Sequence, residues 1–271
     1  MKVYHMNGAG NDFMVLDARG RSLNFPELAK RLCAGTGADG FMAVDNAENA
    51  DFRLHFYNSD GTRGEMCGNG ARCICRFANE LGIAGQSMTV LTDAGIVPGQ
   101  HLTGEQYRVK LNTPSVLDLT RKGNTAYVEL GDPGVPHAVA EYAGDPWADA
   151  DALREEMRAL RFDPAFPKGA NVNYYHRIGP GEVRVLTFER GVEDFTYACG
   201  TGTGSVVTVL TLLGKVSGKG VRVDMTGGTL TIDVERDSAG HVTDLFLTGP
   251  TNIVCKGEIT DEALDPSLLS M

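Results

Sequence analysis

One short pattern occurs twice in this chain and limits what the chain can fold into. Met66-Cys67-Gly68-Asn69-Gly70-Ala71-Arg72 and Ala198-Cys199-Gly200-Thr201-Gly202-Thr203-Gly204 each put a cysteine at the mouth of a glycine-rich turn. Each turn runs into an apolar stretch. The cysteines lie 132 residues apart in a chain of 271. The spacing predicts two half-molecules, each offering one thiol to a shared cleft. Two facing thiols can take a proton from one side of a carbon and return one from the other.

The flanking residues predict helices at both turns. After Cys67, Ala71, Ile74, Cys75, Ala78 and Leu81 fall at helical spacing, and Gly82 is a stop signal. After Cys199, residues 206–213 are apolar nearly all round and end at Gly214, so a helix there is buried on every face. Periodicity alone also reads this run as a strand. The match to the first copy and the glycine-rich start favour the helix. A further helix is expected over 25–33, with Asn24 as N-cap and Pro26 in its first turn. Another is expected over 149–160, around Leu153, Met157 and Leu160.

Alternating runs at 52–57, 107–111, 183–188 and 230–234 read as strands, separated by glycine or Asn/Asp turns. The 34 glycines suit a fold with many tight turns. The expected class is α/β (α+β), mostly antiparallel, with strands, helix, strands and buried helix occurring twice. The seam falls near Asn112-Thr113-Pro114, so the halves are 1–113 and 114–252.

A thiol is a poor base until it ionises. Its reference pKa is about 8.5, and a helix N-terminus lowers it. The glycines after each cysteine let unpaired N–H groups curl toward a ligand, and such a nest also binds a carboxylate. Removing the proton α to a carboxylate needs both base and clamp, because the carbanion's charge flows onto that carboxylate.

Other chemistries fit less well. The net charge of −10 argues against nucleic acid or an anionic membrane surface as partner. No apolar run reaches the roughly 18 residues of a spanning helix, and residues 1–8 have no apolar signal region. A cytoplasmic location and reduced thiols are therefore expected. Cys33, Cys73, Cys75 and Cys255 read as core residues. The spacing of Cys67, Cys73 and Cys75 is not that of a zinc site. No Walker pattern, full Gly-x-Gly-x-x-Gly or Gly-x-Ser-x-Gly elbow is present.

Three stretches carry a family resemblance: Asn7-Gly8-Ala9-Gly10-Asn11-Asp12-Phe13; Tyr57-Asn58-Ser59-Asp60-Gly61 running on to the first cysteine turn; and Glu189-Arg190-Gly191 followed by the second. Together they resemble the diaminopimelate epimerases. The resemblance implies two pseudo-symmetric domains, each a curled, mostly antiparallel sheet around a central helix. The active site lies between them, and the segment 253–271 returns to the first. The implied reaction inverts one α-carbon of LL-2,6-diaminopimelate, giving the meso form, without cofactor or metal. Its place is lysine and cell-wall precursor synthesis.

The resemblance makes Cys67 and Cys199 the two acid/bases. His137 matches a histidine near the reacting thiol, and Glu189 a residue that serves both catalysis and binding. Asn11, Asn58, Asn173 and Arg190 match the substrate-binding pattern. The amides Gly68-Asn69 and Gly200-Thr201 match carboxylate nests. The partner is thus a small amino acid. Family members are often homodimers, though the sequence shows no interface signature of its own.

Three positions depart from the family pattern. Gly40 stands where many members have Gln, Val135 where many have Asn, and Phe195 where Glu is frequent. All three bear on the far end of the substrate. One alternative reading is therefore a cofactor-independent racemase of another amino acid, such as histidine. Arg190 favours a diacid, because a guanidinium pairs a carboxylate bidentately. The alternative from another class is a non-catalytic thiol-redox or ligand-binding protein.

Overall fold

Ala9 and Gly10 turn the chain back on itself. Both have positive φ, 54° and 90°, the two-residue turn whose twist matches that of the flanking strands. They join β1 (Lys2–Gly8) to β2 (Asn11–Asp17) as an antiparallel hairpin. The computed structural model describes residues 1–64 and 67–259. Glu65 and Met66 of the first cysteine motif, and 260–271 of the returning segment, lie outside the described residues.

From β2 the chain crosses through α1 (Phe25–Thr36) to β3 (Gly40–Asp45), which lies parallel to β2. β4 (Phe52–Asn58) runs back against β3. A second crossover, α2 (Gly68–Glu80), leads to β5 (Ser87–Thr92), parallel to β4. β6 (Gly95–Thr103) and β7 (Gln106–Leu111) follow as antiparallel neighbours.

The same order then repeats. β8 (Pro114–Lys122), β9 (Thr125–Gly131) and β10 (Gly134–Glu141) are antiparallel. α3 (Ala150–Arg161) crosses to β11 (Asn171–Gly179), parallel to β10, and β12 (Glu182–Glu189) returns. A short β13 (Asp194–Thr196) pairs with β12. α4 (Gly200–Leu212) crosses to β14 (Val221–Met225), parallel to β12. β15 (Gly228–Arg236) and β16 (Val242–Pro250) complete the run. Finally β17 (Asn252–Glu258) pairs antiparallel with β1, as β8 does with β9.

Two units result. One comprises 1–109 with a segment starting at Gly249, the other 110–248. In the first, α2 packs against β1, β2, β3 and β6; in the second, α4 packs against β9, β10, β11 and β15. A flat sheet cannot bring its early and late strands to one helix, so the strands of each unit curl around its own helix. Both units are mostly antiparallel with two parallel crossovers, the fold class expected from the sequence. Among the described residues no helix is long and apolar enough to cross a membrane.

The helix at the second cysteine turn is confirmed over the strand reading: every residue from Gly202 to Thr211 is buried. Its stop is Gly214 (φ 68°), and that of α2 is Gly82 (φ 67°), both left-handed as the sequence predicts. α1 runs three residues beyond the expected end, to Thr36, because Gly37 (φ 76°) bonds back to the Cys33 carbonyl at 2.7 Å. One expectation is corrected. Cys33, Cys73 and Cys75 are buried, but Cys255 is exposed, since β17 offers almost no buried side chain.

The α1 cap is a direct test of the local reading. The Asn24 side chain accepts from the Glu27 amide at 3.3 Å. Asn24→Ala leaves that donor unpaired at the helix start. It is expected to lower unfolding stability by about 1 kcal/mol, read as a lower urea midpoint at unchanged slope.

Candidate active site

Each conspicuous cysteine caps a central helix. Cys67 is the N-cap of α2 (φ −107°, ψ 122°) and Cys199 the N-cap of α4 (φ −120°, ψ 104°). In both the extended cap ends at a helical turn whose first bonds are Ala71 N–H to the Cys67 carbonyl, 2.8 Å, and Thr203 N–H to the Cys199 carbonyl, 2.9 Å. The amides of Gly68, Asn69, Gly200 and Thr201 lie ahead of those bonds, where a helix has no internal acceptor to offer. The positive end of the helix dipole adds to them.

In the second unit the Cys199 thiol accepts from the Gly202 amide at 3.3 Å and lies 3.6 Å from the Thr201 hydroxyl. Gly202 is required here: a Cβ would collide with Asn173 Oδ1 and lie 3.2 Å from the thiol sulfur. Asn173 is fully buried on β11. Its amide nitrogen donates to the carbonyls of Ala138 (3.1 Å) and Asn171 (3.0 Å) and lies 3.3 Å from His137 Nδ1. Its oxygen accepts from the Thr187 hydroxyl across the strand pair, 2.9 Å. Its side chain is thus fixed by β10 and β12, and its oxygen lies against Gly202 of the Cys199 turn.

His137 is completely buried on β10. Its Nδ1 faces the Asn173 amide nitrogen, and its Nε2 has no hydrogen-bond partner. Burial, assisted by the Arg190 charge, pushes its pKa down to about 3. The ring is therefore neutral at working pH. Glu189 accepts from the Thr196 hydroxyl at 2.9 Å, and burial raises its carboxyl above the ordinary value despite that bond. Arg190 is held by its backbone, whose N–H donates to Asn171 Oδ1 at 2.8 Å. Its exposed guanidinium donates to the Lys168 carbonyl at 3.0 Å. Lys168 is itself tied to the buried Glu129 at 2.7 Å.

In the first unit the Asn69 side chain donates to Asn11 Oδ1 at 2.7 Å. Asn11 in turn donates to Asp39 at 3.3 Å, and the same carboxylate oxygen takes the Asp12 amide at 2.9 Å. Asn58 opens the turn that Gly61 (φ 82°) closes, and its side chain donates to the Thr62 hydroxyl at 3.0 Å. The Ser59 amide donates to the Asp39 carbonyl, 3.1 Å, which links that turn to Asn11. Gly8 lets the hairpin lie against the start of α2. A Cβ there would be 2.9 Å from the Cys73 sulfur and 3.0 Å from the Asn69 carbonyl. Burial holds the Cys73 and Cys75 thiols up at about 12 and Cys33 at about 11, so none is a base.

Thus Asn11, Asn58, Cys67, Gly68 and Asn69 gather in the first unit. His137, Asn173, Glu189, Arg190, Cys199, Gly200 and Thr201 gather in the second. A sequence profile of the family described as diaminopimelate epimerase matches residues 3–116 and 132–254. The chain belongs to the diaminopimelate epimerase family. The diaminopimelate epimerase of Aquifex aeolicus is 36% identical, with 98% of this chain and 100% of the relative covered. That of Chlorobaculum tepidum is also 36% identical, covering 94% and 100%. Among solved structures, a Bacillus anthracis phenazine biosynthesis protein of the PhzF family superposes with a TM-score of 0.71 at 16% identity, over 96% of this chain and 99% of that one. A probable proline racemase from Agrobacterium radiobacter gives 0.69 at 16%, over 99% and 95%. These two share the fold.

Two departures from the family pattern have structural counterparts. A Cβ at Gly40 would lie 2.8 Å from the Phe56 ring and 3.0 Å from the Tyr57 carbonyl, so Phe56 fills the space of a longer side chain. Phe195 packs edge-on against Phe188, 5.8 Å between centroids, under the Arg154 guanidinium. It belongs to the core beneath α3. The residues that sequence reasoning left unassigned are Asp39, Asn171 and Thr187, which orient the family residues, and Arg72. Asn171 had a signal: two residues from Asn173 on a strand, it shares its face.

His137 yields a pH prediction. Its folded pKa lies below the unfolded value near 6.5, so the unfolded chain binds the extra proton. The stability linked to His137 is present above pH 6.5 or so and is lost as pH falls from there toward about 3. Wild type should therefore lose up to about 1.4 kcal/mol per pH unit more than His137→Gln. Urea titrations of both proteins at pH 7, 6, 5 and 4 measure this; parallel losses would remove the linkage.

Proposed function

We propose that this chain epimerises LL-2,6-diaminopimelate to the meso form without a cofactor, with Cys67 and Cys199 as alternating acid and base. Membership of the family supports the isomerase activity. The observation that carries the mechanism is the repetition of one device, a cysteine capping a buried helix, once in each unit.

In the forward direction one thiolate takes the α-proton. The electron pair left on the α-carbon delocalises into its carboxylate. Amides at the helix starts, from Gly68 and Asn69 or Gly200 and Thr201, are the donors suited to that charge. The second cysteine, as a thiol, gives its proton to the opposite face of the carbon. Configuration is inverted, and the two cysteines have exchanged protonation states. His137, neutral and hydrogen-bonded to Asn173, positions rather than transfers. Glu189, its carboxyl raised by burial, is an acceptor for the substrate's ammonium group. Arg190, with its exposed fork, takes the distal carboxylate and so selects a diacid.

Incubation in D2O decides the mechanism. Enzyme and LL-diaminopimelate should give meso product carrying deuterium at the inverted carbon. Cys67→Ala or Cys199→Ala should each lower turnover by about 10²–10⁴-fold or more. Full activity in either variant would sink the two-base reading.

Specificity rests on Arg190. Arg190→Lys keeps the charge and loses the fork, so it should raise KM for diaminopimelate more than it lowers kcat. A panel of amino acids tests the selection. Faster turnover of histidine or another monocarboxylic amino acid by the unaltered protein would transfer the assignment to a racemase.

A further inference from the structure

Arg190 is held at both ends. Its backbone N–H donates to Asn171 Oδ1 at 2.8 Å, and its guanidinium donates to the Lys168 carbonyl at 3.0 Å. The first bond sets where the side chain starts, and the second sets where its head lies. Lys168 belongs to the turn between α3 and β11, outside any helix or strand. A turn with no anchor moves, and a guanidinium bonded to it moves with it. What anchors this turn therefore decides how well the head of Arg190 is placed.

The anchor is β9. Tyr127 and Glu129 stand two apart on that strand, so their side chains share a face. Two residues of the turn, with the same spacing, meet them. The buried Phe166 ring stacks on Tyr127, 5.5 Å between centroids, and Lys168 Nζ donates to Glu129 Oε2 at 2.7 Å. The Tyr127 hydroxyl joins the two contacts by donating to Glu129 Oε1, also at 2.7 Å. β10 leaves space for the carboxylate: a Cβ at Gly134 would lie 3.0 Å from Oε2. Within the turn, the Gly169 amide donates to the Phe166 carbonyl at 2.7 Å. Glu129 is buried, and a buried carboxylate is costly unless it is paired. Burial pushes its carboxyl up, but the bonds from Lys168 and Tyr127 outweigh this and hold it below the ordinary value. The neighbouring Arg121 lies over the Tyr127 ring at 5.1 Å and pairs with Asp118 at 3.0 Å. Lys168 is the ion partner of Glu129.

We propose that Glu129 is a positioning residue for substrate selection: through Lys168 it holds the carbonyl that aims the Arg190 guanidinium. The inference rests on the reading of Arg190 as the group that takes a distal carboxylate. It extends that role to a buried carboxylate on another strand, which acts through Lys168 and Arg190 without touching substrate. A guanidinium carries five donors, and the Lys168 carbonyl takes one. The fork is thus directed and still open to a ligand.

Two measurements test this, one of them without turnover. In protein carrying isotope-labelled arginine, the NMR signal of the Arg190 Nε–H is assigned by its loss in Arg190→Lys. Its order parameter reports how firmly the head is held. Glu129→Gln keeps the shape and an acceptor for Tyr127 but removes the charge, so it should lower that order parameter by about 0.2 or more. Lys168→Met in the Glu129→Gln background strands no buried charge and should give the same loss. Lys168→Arg keeps the ion pair and should retain most of the order. An unmoved order parameter in Glu129→Gln, folded by near-UV circular dichroism, would overturn the proposal for any substrate. In kinetics, Glu129→Gln should raise KM for diaminopimelate by about three- to tenfold and change kcat by less than about twofold. Added to Arg190→Lys, it should raise KM no further, because one residue acts through the other. Equal effects in both backgrounds would reduce Glu129 to a brace for the turn. Absence of diaminopimelate turnover by the unaltered protein would defeat the substrate assignment instead, and the order parameter would still decide the role of Glu129.

Discussion

A helix buried on every side has nowhere to send the N–H groups of its first turn. Side chains or a ligand must receive them, or they remain an unmet cost. α4 is such a helix, and α2 shares its position within a curled sheet. In this chain the N-caps of both are cysteines, so the thiols and the needy amides sit together. The glycines follow from the same constraint. Gly202 makes room for Asn173 and the sulfur of Cys199, and Gly8 lets the first hairpin close on the start of α2. Chemistry and packing are solved by one short segment, and the chain uses that solution twice.

Much of the fold was legible because its signals are local. Apolar spacing after Cys67, all-round apolarity after Cys199, and Gly82 and Gly214 as stops set the central helices. Asn24 set the start of α1. Cys255 was misread because burial depends on the neighbours a strand acquires, and β17 acquires almost none for its side chains. In the candidate site the cysteines and the glycines beside them were legible as helix starts, since that role resides in the local backbone. The supporting bonds were not. Asp39 meets Asn11 from 28 residues away, and Thr187 meets Asn173 through strand register. Arg72 stands in the first cysteine motif, yet only its complete burial and its two partnerless nitrogens single it out.

The departures from the family pattern illustrate a different limit. A residue type that differs from its relatives suggests altered recognition, whereas local packing explains two of the three. Phe56 occupies the space over Gly40, and Phe195 turns into the core beneath α3 with Phe188 and Arg154. Strand alternation accounts for the latter: the adjacent Thr196 faces the other way and donates to Glu189. The polar side of that short strand is thus kept while its apolar side is given to the core.

The strand that completes the first sheet comes late. β8 is made just before the β9 it pairs with, so the second unit is contiguous in the chain. β1 has no such neighbour until β17 arrives, and the two are clasped by Met1 and Ile259, 258 residues apart, which exchange backbone bonds at 2.7 Å. At roughly 5–20 residues per second of synthesis, the outer edge of β1 waits on the order of 10–50 s for its partner. During that interval it is a row of unpaired backbone groups, the template on which strands of other chains add. Birth order therefore gives the two matching units unequal histories: one closes as it is made, and the other depends on β17 to seal it.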